Sequence, residues 1–179
     1  QEEFRHTFPY QSLLGCVLYV NMCTKACISY AVSILGKYAQ KPTYAACKAL
    51  VHLSQFIYNT RSQMLILGGR TGTGGNMRQI NYSDSDWGGD SATRKSRSGG
   101  IAFIGDGPVL WWSKLQTIIA ASTLQAEHIA ATIAAQNARY IRNIVNFAGI
   151  PGVRYDNASI LYIDNMAAVS VSNNPTHSK

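Results

Sequence analysis

Three acids are the residues most able to do chemistry in this chain. It holds nine Asp plus Glu against 16 Lys plus Arg in 179 residues, so an acid set among apolar neighbours needs a reason. Asp84 closes the alternating run Ile80, Tyr82, Asp84; Glu127 lies in the first turn or so of a long helical segment; Asp164 follows the apolar stretch Ile160 to Ile163. Each has an ordinary role open to it. Asp84 could form a turn through its own backbone, Glu127 could be a solvated residue complementing a helix N-terminus, and Asp164 could cap the next helix. Brought to one strand-end edge, however, the three carboxylates would repel unless a divalent cation neutralised them. Mg2+ prefers oxygen ligands and keeps several waters. A pair of such ions about 3.5–4 Å apart activates water and stabilises the leaving oxygen in phosphodiester hydrolysis.

Other chemistry-bearing patterns resolve into structure. Gly68-Gly-Arg-Thr-Gly-Thr-Gly-Gly75 invites a phosphate-cradle reading, but such a loop must open a helix. Here the glycines lead into strand-like Met77 to Ser83 with no Gly-Lys-Ser/Thr, which makes the segment a flexible linker. Cys16, Cys23, Cys27 and Cys47 all fall in the first quarter. They lack the two close pairs of a zinc site, and Cys23 and Cys27, four apart, would share a helix face. Buried helix cysteines in a reducing compartment are the expectation. The sequons at Asn81 and Asn157 would matter only in the secretory route.

The elements that must position the acids follow from periodicity. Leu13, Leu14, Val17, Leu18 and then Ile28, Ala31, Val32, Leu35 recur at helical steps, and Pro42-Thr43 opens a further helix reaching about Asn59. Beyond the glycines the period changes. Strands are expected around Ile80 to Asp84, over Gly99 to Ile104 and over Val109 to Trp112, with Gly105 to Pro108 as a turn, forming an antiparallel meander. An Ala- and Ile-rich helix from about Thr123 to Phe147 stops at Gly149 and Pro151. Ile160 to Ile163 makes a fourth strand, and Asn165 to Ser172 begins a last helix. A strand that follows a helical crossover normally lies parallel to an earlier one, so the expected fold is α/β with a mixed sheet, order β-β-β-α-β-α, preceded by a helical segment. The expected division is 1–67 helical, 68–76 linker and 77–179 the sheet-bearing domain.

A 46% hydrophobic fraction with mean hydropathy near zero excludes global disorder. The longest apolar run, Leu13 to Val20, is far short of the ~18 residues of a membrane span. Glu2 and Glu3 precede any hydrophobic segment, the reverse of a secretory signal. The missing initiator Met fits a processed product or an excised fragment. The net charge of +7 suits a polyanionic partner and equally suits solubility.

The ordered blocks Asn81-Tyr-Ser-Asp-Ser-Asp-Trp-Gly-Gly-Asp90, Arg94-Lys-Ser-Arg-Ser-Gly-Gly100, Gly107-Pro-Val-Leu-Trp-Trp-Ser-Lys114, Ala121-Ser-Thr-Leu-Gln-Ala-Glu-His128, Leu161-Tyr-Ile-Asp-Asn165 and Asn174-Pro-Thr-His177 resemble the ribonuclease H domain of copia-type LTR retrotransposon Pol polyproteins. Tyr10-Gln-Ser-Leu-Leu-Gly-Cys-Val-Leu-Tyr19 and Ile28-Ser-Tyr-Ala-Val-Ser33 resemble the segment joining reverse transcriptase to that domain. The resemblance implies a ribonuclease H-like fold and a nuclease that cuts the RNA strand of RNA–DNA hybrids during reverse transcription. Asp84, Glu127 and Asp164 would be its catalytic, metal-binding carboxylates, with two Mg2+ (or Mn2+) ions in an intact site and a metal-activated water attacking the scissile phosphate. Periodicity does not choose between Asp84 and Asp86; the resemblance supplies Asp84, and Asp86 and Asp90 keep the turn role.

The same resemblance makes Arg94, Lys95, Arg97 and Lys114 candidates for phosphate contacts that position the hybrid without reading sequence. Trp87, Trp111 and Trp112 could stack on nucleotides, though core packing is the expected role. Expected partners are the hybrid and the rest of the polyprotein, with no membrane, in an intracellular setting: cytoplasmic, within a virus-like particle, or nuclear. The pattern departs from the family at Gln125, where an acid is usual, and at Lys25-Ala-Cys27, where Arg-Pro-Asp is usual. The chain also stops where the family continues into a fifth strand, a fourth carboxylate and a last helix, which would leave an open sheet edge suited to self-association. The alternative function is an inactive retroelement remnant that serves as a nucleic-acid-binding or scaffold module.

Overall fold

The computed structural model describes residues 7–67, 78–149 and 159–173; the glycine-rich stretch at 68–76 and the motif at 174–177 lie outside them. The chain forms two compact units, Gln1–Leu65 and Ile66–Lys179.

The first unit is helical. Helix α1 (Tyr10–Cys23), a 3-10 turn (Ala26–Ile28), α2 (Ser29–Leu35), a second 3-10 turn (Gly36–Tyr38) and α3 (Tyr44–Asn59) follow one another. Thr43 caps α3, its Oγ1 accepting from Ala46 N at 3.1 Å, which satisfies one of the four orphan amides of a helix start. Tyr10, Leu14 and Val17 of α1, Val32 and Leu35 of α2, and Cys47, Leu50 and Leu53 of α3 make the core with Ile28. The Tyr10 hydroxyl is buried there and donates to Leu35 O at 2.8 Å. Lys25 is buried as well, its Nζ donating to Thr60 O at the end of α3. The expectation of buried helix cysteines holds for Cys47 alone; Cys16, Cys23 and Cys27 are exposed. Cys16 is one step off the Leu14–Val17 ridge, so the ~100° turn per residue carries it to solvent. Cys23 ends α1, and the break at Thr24 and Lys25 separates it from Cys27, so the two share no helix face.

The second unit holds a mixed four-stranded sheet in the order β3-β2-β1-β4. Strands β1 (Gln79–Asp86), β2 (Arg97–Ile104) and β3 (Gly107–Leu115) form the antiparallel meander, and β4 (Ile160–Ile163) joins β1 in parallel. The meander is longer than periodicity suggests. Gly107 and Pro108, expected in a turn, already pair with Ile104 and Phe103, and the hairpin is the two residues Gly105 and Asp106, with Gly105 at φ +61. Pairing recovers backbone hydrogen bonds that side-chain pattern does not reveal. Between β3 and β4 runs α4 (Thr123–Ala148), and α5 (Met166–Asn173) follows β4.

Helix α4 is capped by Ser122, whose Oγ accepts from Gln125 N at 3.2 Å, while Gln125 Oε1 reaches back past the cap to accept from Ala121 N at 2.6 Å. It ends at Gly149, at φ +59, the left-handed residue that commonly closes a helix. Its buried side is mostly alanine, Ala126, Ala130, Ala131, Ala134 and Ala138, followed by Ile141 and Val145, so the helix axis can approach β1 and β2 closely. The side of β1 that packs inward is polar: Gln79, Asn81 and Ser83 are buried, while Ile80 is half-buried and Tyr82 exposed. Hydrogen bonds stabilise this inversion. Gln79 Nε2 donates to Ala138 O at 3.0 Å, Asn81 Nδ2 to Ile160 O at 2.9 Å, and Ser159 Oγ to Gln79 Oε1 at 2.9 Å. These bonds tie β1 at once to α4 and to the start of β4. Among the described residues no helix is long and apolar enough to cross a membrane.

Candidate metal centre

Strand register brings two of the acids together. β1 and β4 run in parallel with Ser83 opposite Ile163, so the next residue on each strand, Asp84 and Asp164, emerges at the same end of the sheet. Asp84 lies inside β1, opposite Gly99 of β2, not in a turn. The cap of α5 belongs to Asn165, whose Oδ1 accepts from Ala168 N at 3.0 Å, so Asp164 does not serve as that cap.

Glu127 completes the group from the first turns of α4. It is 6% exposed, not a solvated helix residue. Its Oε1 accepts from both the backbone N and the hydroxyl of Ser85, at 3.1 Å each; its Oε2 is buried with no hydrogen-bond partner. One carboxylate oxygen from each of Asp84, Glu127 and Asp164 lies within 4.8 Å of the others, with both aspartates exposed. Burial pushes the Glu127 carboxyl above its ordinary 4.5, the charges of Asp84 and Asp164 push the same way, and the two Ser85 hydrogen bonds pull against them. The group is thus all oxygen, concentrated in negative charge, and includes a buried oxygen lacking a donor. That donor set fits a hard divalent cation such as Mg2+ or Mn2+.

Asp86, the other acid of the same motif, is turned to structural use: its Oδ1 accepts from Arg97 N across the β1–β2 junction. The four basic candidates separate. Arg94 and Lys114 are exposed, Lys95 is half-buried, and Arg97 is only 5% exposed, so Arg97 is a cation packed inside the unit and not a surface contact for a phosphate. Trp111 and Trp112 are half-buried in β3, but Trp87 is 57% exposed, against the expected core role. Sequence reasoning missed Ser85, the residue that orients Glu127. Its position between Asp84 and Asp86 is the sole hint, and only the approach of α4 gives it meaning.

Fold and site define an α/β protein with a three-carboxylate centre at the end of a mixed sheet. Over most of its length the chain is similar to retrovirus-related Pol polyproteins of copia-type transposons. It is 28% identical over 166 residues to the retrovirus-related Pol polyprotein from transposon TNT 1-94 of Nicotiana tabacum, covering 93% of this chain and 12% of that protein. It is 28% identical over 171 residues to the Pol polyprotein from transposon RE1 of Arabidopsis thaliana, covering 95% of this chain and 11% of that protein. It is also 32% identical over 133 residues to the secreted RxLR effector protein 161 of Plasmopara viticola, covering 74% of this chain and 91% of that protein. The chain therefore spans about an eighth of the length of the Pol polyproteins it matches. No family model and no solved structure matches it.

Proposed function

We propose that the chain is the ribonuclease H portion of a Pol polyprotein, hydrolysing the RNA strand of RNA–DNA hybrids with divalent cations held by Asp84, Glu127 and Asp164. Residues 1–67 would be part of the segment connecting it to reverse transcriptase. The observation that carries the reading is the buried, partnerless Glu127 Oε2 beside two further carboxylates. Such an arrangement raises the energy of the metal-free protein and is relieved by a cation.

Bound there, Mg2+ or Mn2+ would supply an activated water and neutralise charge on the phosphate under attack. The chain's own residues set the conditions. Ser85 fixes Glu127 through two donors, so one oxygen keeps its place while the other stays available. Asp84 and Asp164, on adjacent parallel strands, open the site to solvent and so to a strand of nucleic acid. Arg94, Lys95 and Lys114 are the basic residues left to meet phosphates; such contacts position a duplex without specifying its sequence.

The test is cleavage. The chain is incubated with a labelled RNA–DNA hybrid and Mg2+ or Mn2+, beside Asp84→Asn and Asp164→Asn. The expected result is cutting of the RNA strand by the parent, lost in both variants. Binding without cutting in all three would favour an inactive nucleic-acid-binding module, and cutting of duplex DNA a different nuclease.

A further inference from the structure

We propose that Trp87 and Arg94 form a nucleotide platform on the flank of the carboxylate centre, the indole lying against a sugar or base and the guanidinium meeting the adjoining phosphate. Its choice of nucleic acid as ligand rests on the nuclease reading above.

Trp87 is exposed but not loose. Its indole N–H is already used, donating to Ala120 O at 3.0 Å, which pins the ring to the segment leading into α4 while leaving more than half of the residue in water. The loop that carries it, 87–96, is tied at several points. Gly88, at φ +62, donates its N–H to Ser96 Oγ at 3.0 Å; Asp90 N donates to Lys95 O at 3.1 Å; Arg94 N donates to Asp90 O at 2.7 Å. An exposed aromatic held this firmly has given up solvent shielding without gaining core contacts, the condition of a surface awaiting a flat ligand.

Arg94 supplies the complementary charge. It stands at φ +56, the sole non-glycine residue with positive φ among the described residues, where Gly or Asn would sit with less strain. Its guanidinium rests so close to Gly88 that a Cβ there would lie 3.7 Å from Nη2. The cation therefore lies against the residue that follows Trp87 in the chain. Trp87 directly follows the last residue of β1, and only Ser85 and Asp86 separate it from Asp84, at most ~10 Å along the strand. Stacking of this kind tolerates any base, since every base has a π face.

Binding of labelled hybrid and of single-stranded RNA to the full chain is measured by fluorescence anisotropy in EDTA, where no cutting occurs. The expected result is a Kd about tenfold weaker for Trp87→Ala, within about twofold of the parent for Trp87→Phe, and a salt dependence shallower by about one phosphate for Arg94→Gln. A Trp87→Ala Kd within twofold of the parent, or a parent that binds neither ligand, overturns the proposal. Photocrosslinking of the parent to RNA bearing 5-iodouridine needs no variant: a crosslinked peptide containing Trp87 supports the platform, and crosslinks confined elsewhere refute it. If the parent cuts no hybrid yet Trp87→Ala weakens binding, the nuclease reading fails and the platform stands. If hybrid is cut and Trp87→Ala binds unchanged, the platform fails alone.

Discussion

Ser85 gives both its backbone N–H and its hydroxyl to one oxygen of Glu127, leaving the second oxygen buried without a partner in a carboxylate that groups with Asp84 and Asp164. A single residue of β1 thus orients the one buried carboxylate of the site, from a position flanked by two aspartates of different function. Partners that orient metal-binding groups typically change metal affinity 10–100-fold when removed.

Ser85→Ala deletes one of the two donors and keeps the backbone one. Mn2+ affinity, measured by calorimetry, should fall about tenfold, and hybrid cleavage at limiting metal should fall with it, recovering at saturating metal. Unchanged affinity would mean that the backbone donor alone holds Glu127.

Asp84 and Asp86 should separate cleanly. Asp84→Asn should lose metal binding and cleavage with the fold intact. Asp86→Asn weakens the acceptor for Arg97 N at the β1–β2 junction, which should cost about 1 kcal/mol of stability while metal binding persists. Urea unfolding and Mn2+ titration on both variants check this, and the reverse assignment would show as a metal-binding defect in Asp86→Asn.

Burial raises the Glu127 carboxyl above its ordinary 4.5, so the folded protein holds this proton more tightly than the unfolded chain does. The sign follows by linkage: stability from this group is fully present below the ordinary value and is lost as pH rises through the raised one. In EDTA the thermal midpoint should therefore fall as pH rises across that window, and Glu127→Gln should flatten the fall. Saturating Mg2+ should raise the parent's midpoint at neutral pH and leave Glu127→Gln unmoved. A parent whose midpoint ignores Mg2+ would argue against a cation at Glu127.

Gly100 makes room for Trp112: a Cβ there would lie 2.1 Å from the indole Cζ2. Gly100→Ala must displace a half-buried ring in β3, so a loss of about 1–3 kcal/mol is expected in chemical denaturation. A neutral substitution would show that Trp112 repacks freely.

Much of this architecture was legible in the residues, and the misses have physical causes. The period change after the glycines, the alanine-rich run from Thr123 and the crossover to Ile160 lead to the observed order and to the mixed sheet, because backbone pairing and handedness leave few alternatives. The polar inward side of β1 was hidden: nothing in the types of Gln79, Asn81 and Ser83 marks them as buried, and inside, the carbonyls of Ala138 and Ile160 accept from Gln79 and Asn81 while Ser83 Oγ has no partner. Arg97 reads as a surface cation in a basic run, yet it opens β2 buried between Ser96 and Ser98, its N–H held by Asp86, while Arg94 and Lys114 stay out. The three acids could be named from type and position, but their meeting depends on register between strands far apart in sequence, and Ser85 acquires a role only through that meeting.

Diffraction from crystals soaked in Mn2+, with the metal located by its anomalous signal, tests the central claim most directly. The account predicts a peak bonded to carboxylate oxygens of Asp84, Glu127 and Asp164, absent in Asp164→Asn crystals. A parent crystal with no peak among those three residues would contradict it.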